Sequence, residues 1–185
     1  YKIKNMNKLI SILGYSILVV LGFASQSAVA TCKNDIVAST PDQAFTLHND
    51  GTATHNSTGL IWMRCSLGQI WDGSTCTGSA NTYTWENALI IAQNEVFGGH
   101  SDWRLPNKNE LASIVEQSCA NPAVNSMVFP NTPATGFWSS SPGAFNSSVM
   151  TDGAWGVFFD EGGVFGFSKG DVRNNFRVRL VRAGR

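Results

Sequence analysis

The chain has 185 residues, with 13 Lys and Arg balancing 13 Asp and Glu, 43% hydrophobic residues and 18 Gly. That composition excludes a disordered chain, a collagen-like chain and a coiled coil. Residues 31–185 hold 10 basic and 13 acidic side chains, and a mildly acidic body does not suit a nucleic-acid binder that works by neutralising phosphates.

Residues 1–30 read as a secretory signal peptide. Lys2, Lys4 and Lys8 form a positive end, Leu9 to Ala24 is an uncharged and mainly apolar run, and Ala28-Val29-Ala30 has the small-x-small form of a cleavage site. The mature chain is then expected to begin near Thr31, with a short extension over 31–44 and one domain over 45–185. The expected location is exported, periplasmic or at the cell surface, with no membrane association once the leader is removed.

Cys32, Cys65, Cys76 and Cys119 all follow the expected cut. An even count in an exported chain reads as disulfides, and four cysteines allow three pairings. The segment between Cys65 and Cys76 contains Gly68, Gly73 and Ser74 and bends easily. This points to Cys65–Cys76, and Cys32–Cys119 would then tie the extension to the end of a helix. A metal site fits less well, because no C-x-x-C is present and no His stands at ligand spacing from a Cys.

Phe45 and Leu47 alternate with polar residues ahead of Asn49-Asp50-Gly51, which predicts a strand and a hairpin turn. Gly59 to Met63 predicts a second, buried strand. The first helix should start at Thr84, a hydroxyl cap, carry Trp85, Ala88, Leu89, Ala92 and Val96 on one face, and stop at Gly98-Gly99. Asn107 with Glu110, after Pro106, is a capping-box pair for a second helix whose apolar stripe is Leu111, Ile114 and Val115. Asn121-Pro122 lies past its end. From Phe137 the chain turns to Gly, Ser, Asn and aromatics with short alternating runs, which predicts strands separated by turns. Strands, two helices, then strands is an α+β order, with the helices packed on short antiparallel strands.

Several motifs together resemble one family. Gly51-Thr52 with Thr58-Gly59-Leu60-Ile61-Trp62, Tyr83-Thr84-Trp85 with Ala88-Leu89, and Ser101-Asp102-Trp103-Arg104-Leu105-Pro106 with Glu110-Leu111 occur in order. Phe129-Pro130, Trp138-Ser139-Ser140 and Val178-Arg179-Leu180-Val181-Arg182 complete the set. The chain is similar in this to the Lcl C-terminal domain family, a domain of unknown function named after a bacterial collagen-like adhesin. The resemblance runs from about Phe45 to Arg182. It implies a C-type-lectin-like fold, akin to formylglycine-generating enzymes. On physical grounds Trp103, Leu105 and the tryptophans Trp62, Trp85, Trp138 and Trp155 are expected in the core. Arg104 is expected to tie loops together through its guanidinium fork.

No catalytic role is expected. The cysteines are expected to be paired, His48, His55 and His100 stand alone, and no HExxH, GxSxG, P-loop or GxGxxG is present. No cofactor or metal is implied. Asp152, Asp160, Glu161 and Asp171 are oxygen donors in Gly-rich turns, but the acid-Pro-Asn loop and Trp-Asn-Asp triplet usual in calcium-dependent sugar lectins are missing. Lys169, Arg173, Arg177, Arg179, Arg182 and Arg185 make the end of the chain basic. This fits either a sulfated-sugar site, which the family's namesake suggests, or solvated and salt-bridged side chains.

The best reading is an adhesion or binding module for a surface protein or glycan, with its ligand surface on the last strands. If Trp155, Val157 and Phe159 share one face, then Gly156, Phe158 and Asp160 share the other. Phe165 and Phe167 also share a face. Exposed aromatics among Gly and Ser have the composition of a binding surface. The candidate contacts are Gly156, Phe158, Asp160, Glu161, Phe165, Phe167, Asp171 and Arg173. Some members of the resembled family look like variable targets of diversity-generating retroelements, whose last strands keep a fixed frame while intervening positions are rewritten. This chain keeps that frame from Trp138 to Arg182, and the rewritten positions would be the candidate contacts with Ser168, Gly170, Val172 and Asn174. A secreted structural or surface-assembly subunit is the other reading.

Overall fold

The computed structural model describes residues 30–143, 152–169 and 175–184. Residues 1–29 of the expected signal peptide lie outside the described residues, as do Gly170, Asp171, Val172, Arg173 and Asn174. In chain order the described elements are β1 (Thr31–Cys32), β2 (Phe45–Leu47), β3 (Thr52–His55), β4 (Leu60–Met63), β5 (Ile70–Trp71), β6 (Cys76–Thr77), α1 (Trp85–Asn94), α2 (Lys108–Ala112), β7 (Cys119–Ala120), β8 (Gly136–Gly143), β9 (Gly153–Phe158), β10 (Gly163–Ser168) and β11 (Val181–Ala183). The class is α+β, with every named strand pair antiparallel.

A four-stranded sheet runs in the order β11-β4-β3-β2 and a three-stranded sheet in the order β10-β9-β8. The β2–β3 turn forms where expected. Asp50 Oδ1 accepts from the N–H and Oγ1 of Thr52 at 3.0 and 2.7 Å, an aspartate turn that starts β3 in register. The two small pairs, β1–β7 and β5–β6, each carry a disulfide. Cys32–Cys119 joins residues directly opposite in β1 and β7, and Cys65–Cys76 closes the loop that holds β5. Both bridges are the expected ones, although Cys119 lies on a strand beyond α2 and not at a helix end.

The helices begin where their caps are. Thr84 Oγ1 accepts from Asn87 N–H at 3.3 Å, and Asn107 with Glu110 forms a reciprocal capping box. The expected end of α1 is wrong. The helix stops at Asn94, so Val96 leaves its apolar stripe and is 68% exposed. Gly98 and Gly99, both at positive φ, instead form a two-residue turn in which Phe97 and His100 exchange backbone hydrogen bonds of 3.0 Å.

Two apolar clusters hold the layers together. One gathers Phe45, Trp62, Leu111, Val128, Phe129, Phe137, Val157 and Phe159, and joins the four-stranded sheet to α2 and one face of β8–β9. The other gathers Ala88, Ala92, Trp103, Leu105, Trp138, Ala154, Val178 and Leu180, and joins α1 to the opposite face. Trp62 and Trp138 are fully buried as expected, but Trp85 and Trp155 are half-buried. A lysine ammonium lies over each of these two rings, Lys169 at 4.4 Å from Trp85 and Lys108 at 4.3 Å from Trp155. Arg104 meets Glu110 with two guanidinium bonds of 2.7 and 2.8 Å.

Arg177, Arg179 and Arg182 of the basic end are engaged within the fold and do not make a charged face. Residues 176–180 do not form the expected alternating strand, and Val178, Arg179 and Leu180 are all 0% exposed. Arg179 donates to the carbonyls of Met63 and Arg64 and to Thr132 Oγ1, with Phe129 and Phe137 under its guanidinium plane. Burial pushes this group down to about 9. Arg182 is held by Asp102 at 2.8 Å, and Arg177 donates to Ala80 O. These guanidiniums brace the fold from inside.

Candidate binding surface

Cross-strand register decides which aromatics meet. Phe158 pairs with Gly136 on one side and Gly163 on the other, Gly156 with Trp138 and Phe165, and Ala154 with Phe167. Directly opposed residues point to the same face. Phe158, Phe165 and Phe167 therefore share one face with Trp138, while Val157 and Phe137 go to the first core on the other. The expected split of β9 into two faces is what forms.

The rings pack on each other. Phe158 stacks on Phe167 at 5.2 Å between centroids and meets Phe165 edge-on at 5.9 Å. Phe176 reaches over from the irregular segment and touches Phe158 at 5.2 Å, Phe167 at 4.7 Å and Trp138 at 4.5 Å. The cluster is tied to the scaffold by two indole N–H bonds of 2.8 Å, Trp138 to Tyr83 O and Trp85 to Ser139 O. Glycine is required beneath it. A Cβ on Gly136 would lie 2.7 Å from the Phe158 ring, and Phe165 folds back over Gly163.

The candidate contacts separate by burial. Phe165 is 54% exposed and its neighbour Val164 is 38% exposed, on opposite faces of an edge strand. Phe158 and Phe167 are half-buried within the cluster, so they support the surface more than they offer it. Gly156 is buried, with Phe137 O at 3.0 Å from where a Cβ would sit, and this corrects its place among the contacts. Asp160 and Glu161 form the β9–β10 turn. Asp160 O accepts from Asn121 N–H at 2.8 Å, its Oδ1 accepts from Glu161 N–H at 2.9 Å, and Glu161 is exposed. Asp171 and Arg173 lie outside the described residues. At the far end of the hairpin Lys169 bonds Asp152 at 2.6 Å.

Phe176 was missed as a member of this cluster. Its only sequence signal is an apolar residue before Arg177, which the alternation assigned to a strand. All four cysteines are bridged, so no thiol is available for chemistry. Among the described residues no group of three or more His, Cys, Asp or Glu side chains is arranged to hold a metal ion, and no helix is long and apolar enough to cross a membrane. The family model for the Lcl C-terminal domain matches residues 51–182. No curated protein matches the chain.

Proposed function

The chain belongs to the Lcl C-terminal domain family, and from that premise we propose that it is an exported, non-catalytic binding module of C-type-lectin-like fold. Its ligand surface is the rim of the β8–β10 aromatic face. The observation that carries this reading is Phe165, a large aromatic that is 54% exposed although it sits beside a half-buried cluster able to shelter it. Exposure of a rigid aromatic on an ordered edge strand is a typical anchor for a partner. Glu161 and Asp160 in the adjoining turn add acceptors to the rim. Two disulfides support the export reading.

The test compares Phe165→Ser with Phe158→Ala in the oxidised domain, probed on a glycan array and a panel of purified surface proteins. Phe165→Ser should lower retention at least about tenfold while leaving the thermal midpoint nearly unchanged. Phe158→Ala should destabilise by about 3 kcal/mol. Unfolding caused by Phe165→Ser would place that ring in the core and end the reading. Retroelement diversification of the same strands predicts a reverse-transcriptase gene nearby with an adenine-rich near-copy of the codons for the last strands. Gly156 should be fixed in such variants, because its neighbour leaves no room.

The surface-assembly reading draws on a specific feature, Val164 and Phe165 exposed on both faces of the β10 edge. Sedimentation showing concentration-dependent mass would favour it. The sulfated-sugar reading has weaker support, since Arg177, Arg179 and Arg182 are engaged within the fold.

A further inference from the structure

Glu95 follows the last residue of α1, where the helix's negative end opposes a carboxylate. It is half-buried. Among the described residues its carboxylate has no hydrogen bond and no ion pair, although burial pushes the group above the ordinary carboxylate range. A stability argument gives no reason for an acid here, because both its desolvation and its place on the helix are unfavourable.

Glu95 opens onto a cleft of about 420 Å³ between α1 and the disulfide-closed β5–β6 hairpin. The volume is that of a small-ligand site. Leu67, Ile91, Tyr83 and Phe97 supply an apolar and aromatic wall. The side-chain nitrogens on the wall are already donating within the protein. Gln69 Nε2 donates to Asn131 O at 3.0 Å, Trp71 Nε1 to Asn49 O at 3.2 Å and Asn81 Nδ2 to Tyr83 Oη at 3.4 Å. Arg64 stacks over Trp71 at 4.2 Å but directs its N–H groups to the carbonyls of Val128 and Met127, not to Glu95. The cleft therefore presents a negative charge and an apolar wall, and the side-chain nitrogens of Gln69, Trp71 and Asn81 each already donate a hydrogen bond within the protein. Its chemical complement is a cation with several N–H donors on an apolar stem.

We propose that this cleft binds a primary alkylammonium group, with Glu95 as the counter-charge. The ammonium forms charge-assisted hydrogen bonds to Glu95, and the alkyl stem lies along Leu67, Ile91 and the rings of Tyr83 and Phe97. The group can come from a free amine or from a lysine side chain of a partner, and the chemistry is the same. The proposal does not rest on the ligand surface of β8–β10, although Tyr83 touches both places through its carbonyl, which accepts from Trp138 Nε1–H.

The experiment is an NMR titration of the oxidised protein with n-pentylamine, with 1-pentanol as the uncharged control, in wild type and in Glu95→Gln. Pentylammonium should shift the resonances of Ile91, Tyr83 and Phe97, pentanol should bind at least about tenfold more weakly, and Glu95→Gln should remove that difference. Glu95→Gln should leave the thermal midpoint unchanged or raise it, which separates lost binding from lost folding. A peptide with capped termini and one internal lysine, binding more tightly than pentylamine, would identify a partner's lysine as the source, and equal affinity would identify a free amine. The proposal is overturned if saturating pentylamine leaves those resonances unmoved, if pentanol binds equally well, or if Glu95→Gln binds pentylamine as wild type does.

Discussion

At Glu116 a buried carboxylate accepts hydrogen bonds from both the N–H and the Oγ of Ser39, from the N–H and Oγ1 of Thr40, and from the N–H and Oγ of Ser118. Burial alone would push this acid up. The donors of Ser118, Thr40 and Ser39 outweigh it and hold the group down at about 2 against 4.5 for a free glutamate. A depressed carboxylate stabilises the fold fully above the unfolded value and loses that contribution as pH falls toward the folded one. Stability should therefore drop between about pH 4.5 and pH 2, and Glu116→Gln should flatten that drop and cost about 2 kcal/mol at pH 7. Urea midpoints at pH 7 and pH 3 check both. Ser118 stands two residues from Glu116, but the other donors, Ser39 and Thr40, arrive from 77 and 76 residues away, where no local pattern links them to it. Arg179 was equally hidden. Its alternation with Val178 and Leu180 matches a solvated strand face, and only the distant carbonyls of Met63 and Arg64 reveal a buried brace.

The elements were readable where their signals are local. Thr84, Asn107 and Glu110 carry caps within three residues of themselves, so both helix starts were placed correctly. The end of α1 was not, because Val96 continues the apolar spacing although the chain has already left the helix. β8–β10 shows the same limit. Alternation separated Phe158 from Val157, but only hairpin register puts Phe158, Phe165 and Phe167 on one face, and only a segment from beyond β10 adds Phe176. The cluster depends on small residues between its rings, which gives a direct measurement. Gly136→Ala places a methyl 2.7 Å from the Phe158 ring and should destabilise by about 1–3 kcal/mol, seen as a lower urea midpoint with an unchanged slope. The Glu95 cleft was illegible for a related reason. Its walls come from the disulfide loop, the segment before α1 and the end of α1, and no spacing rule joins them.

Across the whole molecule the two disulfides differ in reach. Cys65–Cys76 spans 11 residues and Cys32–Cys119 spans 87. In the chain-entropy model the short loop is worth about 3 kcal/mol and the long one between about 4 and 5. Replacing Cys32 and Cys119 with Ser should thus lower the urea midpoint more than replacing Cys65 and Cys76 does. The reverse order would show that the β5–β6 hairpin, not the distant tie, carries the larger share. The last described stretch has a different kind of reach. Val181 belongs to one core, Val178 and Leu180 to the other, Arg179 lies over the rings of Phe129 and Phe137, and β11 completes the edge of β4. Neither interior can close until these residues are in place, so one short segment locks both halves at once. A chain truncated before Phe176 would be left with two unfinished interiors, not one.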